Sequence, residues 1–341
     1  MRLFLKKAVW TCALILTFIL FFYTFSFAQT ENIKGVQFKD GSIIYGRVII
    51  MNSYDIRIET KDGGIIFRKF SDVDAFIKDT GVDTSVQMPK SSTLKMGFMF
   101  YHFDYKEDLI SPSKGTNEGW LPGTFISYTF KKNSIFYSRI YSHYAAAEIT
   151  YDGATQTGTP INFSNDPQKF FKLQWDFGYP WPIRDNFVLT PYSGMGYRYW
   201  ERGEAKITAA SYTNYKEVYS WGYIPVGLKI DYDINDRWRV GGNVAANFMF
   251  GGRMKAYLSE VLAGPDLDFS LGNEVGWYAE LPVTYRITNN WALTVTPWYE
   301  YSTTGQSDTQ YFHYGGSLYS TYEPSSKTNQ FGISLSADLS F

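Results

Sequence analysis

Ten segments in which apolar and polar residues alternate lie between Thr93 and Phe341, and they constrain the fold more than any other feature of the chain. A period of two places the apolar and the polar side chains on opposite faces of a β-strand. The connections between the segments are alternately short and long. Short turns, long loops and an even strand number are typical of a β-barrel that spans a membrane. We therefore predict an all-β fold, an antiparallel transmembrane barrel of about ten strands.

Composition supports this prediction. The chain of 341 residues is 19% aromatic with 28 tyrosines, yet its mean hydropathy is only -0.24. Apart from the N-terminal segment it has no apolar run long enough for a membrane helix, which excludes a helical membrane bundle. The net charge of -1, without a basic stripe, argues against a nucleic-acid partner. A soluble β-sandwich remains the alternative, but it would not predict connections of alternating length.

The predicted strands carry their charges on one face only. We assign these residues to the barrel lumen: Lys172, Asp176, Lys229, Asp231, Glu280, Arg286, Glu300 and Asp338. A basic residue on the lipid face would cost about 2–4 kcal/mol at the middle of the membrane. Charges of both signs can pair across the lumen, so the sequence predicts a braced interior more than an open pore.

The N-terminal segment Met1–Ala28 predicts a signal peptide, because it has basic residues, an apolar run and a small-x-small cleavage site in that order. An uncleaved membrane anchor is the alternative, since the apolar run is long enough to span. The only cysteine, Cys12, lies within this segment. We therefore expect no disulfide, no thiolate metal site and no cysteine nucleophile in the mature chain, and we predict no metal or other cofactor.

Residues 29–80 differ from the rest of the chain. Asp40-Gly41 and Asp62-Gly63 are turn signals between short runs rich in Ile and Val, which predicts four or five short strands. The stretches FKDGSIIYGRVI and IRIETKDGGIIF, closed by VDAFI, resemble Sm-like or SH3-like small β-domains. A ligand-binding role and a purely structural one both stay open for this domain. Residues 81–92, rich in turn formers, are predicted to be a linker to a barrel at 93–341.

The chain ends on SLSADLSF, an alternating strand with a terminal aromatic residue. We interpret Leu335, Leu339 and Phe341 as the lipid-facing part of a signal for the barrel-assembly machinery. This places the barrel in the outer membrane of a Gram-negative bacterium, with lipopolysaccharide as the expected lipid partner. An even strand number puts both barrel ends in the periplasm, together with the N-terminal domain and any partner that it has there.

The second half of the barrel resembles the omptins, a family of ten-stranded outer-membrane proteases and adhesins. The similarity lies in YIPVGLKIDYDINDRWRVGGNV and in VTYRITNNWALTVTPWYEY, which contain barrel-packing features. Omptins activate a water molecule with an Asp pair and an Asp-His pair on two loops. The corresponding loop here has Asp266 and Asp268 but no histidine, so the omptin catalytic residues are not carried over.

Three histidines remain as weak candidates for chemistry. His102 and Asp104 lie two residues apart on one face of the first strand, where an acid-base pair is conceivable and a simple rim position is the alternative. His143 lies near the end of the third strand. None of the three belongs to a zinc motif, a phosphate loop or a serine elbow.

The last long loop contains YFHYGGSLYSTY, with Tyr311, His313, Tyr314 and Tyr319 as candidate binding residues. Mixtures of Tyr, Gly and Ser are typical of binding loops, although an aromatic belt extended into a loop would look similar. We predict a non-enzymatic barrel acting in surface binding, adhesion or envelope architecture. An omptin-like endopeptidase with displaced catalytic residues and a narrow porin-like channel are the alternatives.

Overall fold

The computed structural model describes residues 33–51, 55–78, 81–83, 92–111, 113–132, 136–154, 158–184, 186–204, 206–207, 213–261, 264–288 and 290–341. The predicted signal peptide Met1–Ala28 lies outside this part of the chain. Two compact units are present, Met1–Pro89 and Lys90–Phe341. Among the described residues, no helix has both the length and the apolar character needed to cross a membrane.

The N-terminal unit consists of seven short strands in two small antiparallel sheets. Its strands are β1 Ile33–Phe38, β2 Ile43–Tyr45, β3 Arg47–Met51, β4 Asp55–Glu59, β5 Ile65–Lys69, β6 Val73–Lys78 and β7 Gly81–Asp83. One sheet has the order β2-β1-β6-β7 and the other β3-β4-β5. A 3-10 turn at Phe70–Asp72 precedes β6. Buried apolar side chains from both sheets, including Val36, Ile56 and Ile58, form its core.

Both Asp-Gly pairs form the hairpin turns that the sequence predicts. Gly41 and Gly63 have φ of 82° and 83°, a left-handed conformation that glycine adopts without steric cost. The linker boundaries, however, need correction. Gly81–Asp83 pairs with β6, and Ser92 already belongs to the first barrel strand. These residues lie in ladders because backbone pairing with a neighbouring strand outweighs their local turn preference.

The second unit is a closed antiparallel barrel. Its elements are β8 Ser92–Glu107, β9 Lys114–Lys132, β10 Phe136–Ala154, β11 Pro160–Gly178, β12 Trp181–Arg184, β13 Phe187–Arg202, β14 Lys206–Ile207, β15 Thr213–Asn214, β16 Glu217–Asp233, β17 Trp238–Ala256, β18 Leu267–Ser270, β19 Val275–Glu280, β20 Val283–Arg286, β21 Trp291–Thr304, β22 Gln310–Tyr314, β23 Ser317–Thr321 and β24 Ser326–Ser340. A second 3-10 turn lies at Leu258–Glu260.

Ten strand positions, here called staves, form the barrel wall, as the sequence predicts. In order they are β8, β9, β10, β11, β13, β16, β17, the pair β19 and β20, β21, and β24, which pairs with β8 to close the ring. The eighth stave is interrupted at Leu281 and Pro282, since proline has no N–H to donate to a ladder. Backbone hydrogen bonds between Ser92 and Phe341 join the two ends of the barrel chain.

The two ends of the barrel differ. The end where Ser92 meets Phe341 has the short connections, and we call it the turn end. The opposite end has the three long connections 203–216, 257–274 and 305–325, together with two shorter ones at 108–113 and 155–159, and we call it the loop end. Extra strands β14, β15, β18, β22 and β23 extend the loop end, and β22 and β23 form a separate hairpin with Gly315 and Gly316 at its tip.

The outer and inner faces of the barrel wall carry different side chains, as the alternation requires. Apolar side chains such as Phe98, Trp175 and Leu293 are exposed on the outside. Inside, the half near the loop end is filled by large aromatic residues, among them Tyr101, Phe103, Trp200 and Tyr219. Leu335, Leu339 and Phe341, which the sequence predicts to form an assembly signal, belong to the outward set, and Leu335 and Phe341 are 52% and 57% exposed. The wall therefore presents an apolar exterior and a filled interior.

Candidate functional site

A pocket of about 280 Å³ opens at the loop end of the barrel. Its polar wall contains four carboxyl groups and one guanidinium, contributed by Glu107, Asp166, Arg202, Glu217 and Glu323. Four of these residues stand at or near the ends of barrel strands, and the fifth lies in the connection from β23 to β24. The long loops thus gather charges from distant parts of the chain around one cavity.

Arg202 lies at the centre of the polar wall. Its Nη2 donates to Glu107 at 2.8 Å and its Nη1 to Asn117 at 3.2 Å, while its Nε donates to Glu217. The guanidinium also lies over the rings of Tyr105 and two other aromatic residues, with a distance of 4.9 Å to the Tyr105 centroid. Every face of this cation is therefore occupied, so Arg202 braces the pocket and is not offered to a ligand.

Glu323 continues the same network towards the loops. Tyr219 Oη lies 2.6 Å from a Glu323 oxygen and 3.2 Å from a Glu217 oxygen. A tyrosine hydroxyl has one proton and can satisfy only one of two ionised carboxylates. Burial, reinforced by Glu217 and Glu107, raises the pKa of Glu323 well above its usual range, although Arg202 opposes the shift. Tyr219 therefore donates its single proton to Glu323, the nearer of the two carboxyl groups.

The opposite wall of the pocket is apolar. It is built by side chains from β17, the 3-10 turn, β18 and the β22–β23 hairpin, namely Met254, Ala256, Leu258, Leu267, Phe269 and Phe312. The first five belong to the main buried cluster of the barrel. An apolar wall facing a few fixed polar groups is the usual build of a small-molecule or side-chain binding pocket.

The β22–β23 hairpin, which carries the candidate binding residues, borders this pocket. Phe312 stacks on Tyr319 with ring centroids 5.7 Å apart and turns towards the pocket. Tyr311 is 69% exposed and Leu318 62% exposed, and Tyr319, Tyr314 and His313 are exposed as well. Large apolar side chains are therefore presented to solvent at the loop end, beyond the wall that faces lipid.

The structure places His102 and Asp104 on the outside of the barrel, away from the pocket. His102 lies beside Trp120 and Phe331, and its Nε2 is 3.3 Å from Glu118. The strand β8 turns its odd-numbered side chains inward, which sends both members of the suggested acid-base pair to the outer face. Neither member of the suggested pair therefore lines the loop-end pocket.

The other two histidines are far apart. His143 is buried inside the barrel, with its Nδ1 3.1 Å from Tyr141 Oη. His313 pairs across the hairpin with Leu318. Within the part of the chain that the structure describes, the walls of the loop-end pocket contain no histidine, and no group of three or more His, Cys, Asp and Glu side chains could hold a metal ion.

Ion pairs fill the middle of the lumen. Lys172 Nζ lies 2.9 Å from Glu300, and Arg198 lies 3.4 Å from the same carboxylate; all three side chains are buried. Asp176 accepts from Arg139 at 2.8 Å, and Arg139 also approaches Glu280 at 3.5 Å. The contact between Arg139 and Asp176 joins the neighbouring strands β10 and β11, whereas the other contacts cross the interior between strands that are not neighbours.

Three more predicted lumen residues lie nearer the turn end. Asp231 is 3.0 Å from Lys131, and Asp338 is 2.8 Å from Lys95. Lys229 lies inside the barrel, with its Nζ 5.7 Å from the centre of the Tyr137 ring. These positions follow from the same alternation that the sequence shows.

Arg286 lies at the rim of the turn end. It pairs with Asp233, which also accepts from Arg239 at 2.7 Å, and these side chains are about a third exposed. Arg286 therefore belongs to a solvated ion-pair cluster at the turn-end rim and not to the buried interior. The β20 strand ends at Arg286, which explains its rim position.

Sequence reasoning missed most of the charged network of the pocket. Glu107, Arg202, Glu217 and Glu323 stand at strand ends or in loops, where no alternation singles them out. Arg198 and Arg139 could have been found, because both occupy inward positions of strongly alternating strands. The partners of Arg202 could not, since they lie 95 and 15 residues away along the chain.

The fold and the filled lumen define the class of protein: this chain has the fold of Gram-negative outer-membrane β-barrels. The outer-membrane protease OmpT from Escherichia coli superposes with a TM-score of 0.52 at 9% identity, covering 74% of this chain and 97% of that one. At this identity the likeness concerns the fold alone.

Two further solved barrels match less well. The translocator domain of the autotransporter NalP from Neisseria meningitidis has a TM-score of 0.36 at 9% identity, covering 73% of this chain and 89% of that one. The toluene transporter TodX from Pseudomonas putida has a TM-score of 0.35 at 8% identity, covering 74% and 90%. No family model and no curated protein matches the sequence.

Proposed function

We propose that this protein is a non-enzymatic outer-membrane barrel that binds a ligand or a surface at its loop end. The observation that carries the proposal is the β22–β23 hairpin, which exposes Tyr311, Leu318 and Tyr319 to solvent beside the loop-end pocket. Exposed large apolar side chains at this density are unfavourable unless a partner covers them. Tyrosine is suited to such contacts, since it combines a large rigid ring with a hydroxyl.

The filled lumen supports binding over conduction. Lys172, Glu300 and Arg198 join opposite sides of the barrel at its middle, and the aromatic cluster above them fills the half near the loops. A barrel of about eight strands is just wide enough for side chains to fill, whereas wide channels need about sixteen. A ten-stranded barrel lies near the filled end of this range.

The placement of the histidines supports binding over omptin-like hydrolysis. His102 is turned outward, His143 is buried near the lumen centre and His313 is on the hairpin. The loop-end pocket is lined by carboxylates that already accept from Arg202, Tyr219 and amide groups. Such a wall is suited to holding a ligand more than to activating water.

The proposal includes a location. The loop end would face the outside of a Gram-negative cell and the turn end the periplasm, with lipopolysaccharide around the outer half of the wall. The N-terminal unit would then lie in the periplasm, and its strand order, with a 3-10 turn before β6, supports an Sm-like or SH3-like assignment. Leu335, Leu339 and Phe341 would be read by the barrel-assembly machinery.

The test uses the full-length protein in the outer membrane of a host strain that lacks surface adhesins. Cells carrying the native chain are applied to arrays of glycans and of extracellular proteins, alongside cells carrying Tyr311→Ser with Tyr319→Ser. Ile110→Ser is the matched control, because Ile110 is 83% exposed in a different loop at the same end. We expect retention on at least one array feature that the hairpin variant loses and the control keeps.

Three outcomes would contradict the proposal. The native cells could bind nothing that empty cells do not bind, or the hairpin variant and the control could lose binding equally. Alternatively, the purified barrel could cleave a broad peptide library, in which case the endopeptidase alternative would replace binding.

A further inference from the structure

A cavity of about 80 Å³ lies at the middle of the lumen, below the loop-end pocket. A water molecule needs about 10–15 Å³ by the same measure, so the cavity has room for about five to eight particles of that size. Four cationic side chains reach it, Lys95, Arg139, Lys172 and Lys229, against two carboxylates, Glu280 and Glu300. The cavity is thus small, polar and unequally charged.

The two carboxylates at the cavity each have several polar partners already. Glu280 accepts from Tyr278 at 2.6 Å and from Asn243 at 3.0 Å, and it lies 3.5 Å from Arg139. Glu300 accepts two hydrogen bonds from Lys172, at 2.9 and 3.1 Å, and lies 3.4 Å from Arg198. Both anions in the wall are therefore committed to other partners.

Two donors at the cavity are uncommitted. Trp298 is 7% exposed, and its Nε1 has no hydrogen-bond partner among the described residues. Lys229 has no carboxylate within 4.0 Å of its Nζ in the described part of the chain; Asp231 and Glu280 attract it from a greater distance, and its Nζ lies 5.7 Å from the centre of the Tyr137 ring. A buried N–H without an acceptor destabilises the folded state, so an acceptor in the cavity would stabilise the barrel.

The charge of the lumen shows the same imbalance. Between the aromatic half of the lumen and the rim cluster of Asp233, Arg239 and Arg286, the strands direct six cationic side chains inward: Lys95, Lys131, Arg139, Lys172, Arg198 and Lys229. They direct five carboxylates there: Asp176, Asp231, Glu280, Glu300 and Asp338. One positive charge is left over, and Lys229 is the cation without an ion pair among these described side chains.

We propose that the mid-lumen cavity binds one halide ion, held by Lys229 Nζ and Trp298 Nε1. A monovalent anion balances the single excess charge, and a halide accepts hydrogen bonds from any direction, so it suits an ammonium and an indole N–H that come from different staves. Chloride is the ion that this site would take in solution. The ion would brace the barrel interior and would leave the loop-end pocket free.

The position of the ion can be read directly from crystals of the full-length protein grown or soaked in sodium bromide. We expect one anomalous bromide peak within hydrogen-bond distance of both donors. The same crystals of Lys229→Met should lack this peak, since methionine keeps most of the volume but removes the charge. Lys169→Met is the control, because Lys169 lies on the outer face, half exposed and paired with Glu201.

A second measurement does not depend on crystals of the variant. Thermal unfolding of the native barrel in detergent is compared in sodium bromide and sodium gluconate at equal ionic strength. An ion that binds only the folded barrel raises the unfolding temperature with its concentration. We expect a halide-specific increase in the native protein and in Lys169→Met, and an apparent halide affinity at least about tenfold weaker in Lys229→Met, the effect of losing one charge-assisted hydrogen bond.

Either of two results overturns the inference. The cavity could contain water only, with bromide peaks confined to the barrel surface. The native barrel could also be equally stable in bromide and gluconate. If Lys229→Met fails to fold, the bromide map and the salt comparison of the native protein decide the question by themselves.

Discussion

We expect substitutions in the buried triad of Lys172, Glu300 and Arg198 to lower the stability of the barrel by unequal amounts. Glu300→Gln removes the carboxylate that lies between the two cations and leaves both of them buried. Breaking a buried ion pair from one side costs about 3–5 kcal/mol, because the remaining charge is uncompensated. Lys172→Met leaves Glu300 paired with Arg198, so we expect a smaller loss of about 1–3 kcal/mol.

The assay is reversible urea unfolding of the barrel in lipid vesicles, followed by tryptophan fluorescence. The double variant Lys172→Met with Glu300→Gln should lose less stability than the two single losses combined, with a coupling of about 0.5–3 kcal/mol. Lys169→Met is the matched control on the same strand, where an exposed pair with Glu201 contributes about 0–1 kcal/mol. Equal losses for Glu300→Gln and Lys172→Met, or a loss for Lys169→Met as large as either, would refute the reasoning.

Three further predictions concern the loops and the seam of the barrel. Because the folded pKa of Glu323 is raised, the folded state loses stability as pH rises from about 4.3, the ordinary glutamate pKa, towards the folded pKa. The protection factors of the amide hydrogens in residues 310–325, that is, intrinsic over observed exchange rates, should therefore fall with rising pH in the native chain but not in Glu323→Gln, and equal pH profiles of protection would contradict this. A Cβ at Gly97 would collide with the Leu335 carbonyl oxygen across the closing pair of strands, β8 and β24. Gly97→Ala should therefore reduce the heat-modifiable folded fraction on gels. A normal folded fraction would show that these two strands can shift. Phe341→Ser should slow assembly in cells without lowering the stability of the refolded barrel by more than about 1 kcal/mol, and a normal assembly rate in pulse-chase labelling would exclude an assembly role.

The strand pattern was readable from the sequence because it is local. Each of the ten staves alternates with a period of two, and a polar side chain facing lipid carries a cost that no neighbour can remove. Lys172, Asp176 and Glu300 could for this reason be assigned to the interior from the alternation alone, and all three are buried there. The alternation of loop lengths supplied the closed topology in the same way.

The boundaries were less predictable. The turn formers at Gly81–Asp83 belong to a paired strand, and β12 lies within a predicted short connection. Local propensity cannot show that a neighbouring strand is available for pairing, because that strand can come from anywhere in the chain. His102 shows the same limit, since the face of a strand on which a residue lies depends on register with the closing strand β24.

The sequence by itself thus determined the class of fold, the number of staves and which faces are apolar. Only the tertiary structure decided which charges meet: Lys172 with Glu300 across 128 residues, Arg202 with Glu107 across 95, and Tyr219 with Glu323 across 104. The physical reason is that alternation acts along one strand, whereas a contact across the lumen depends on the stagger of all ten staves when the barrel closes. The loop-end pocket and the mid-lumen cavity exist only after that closure.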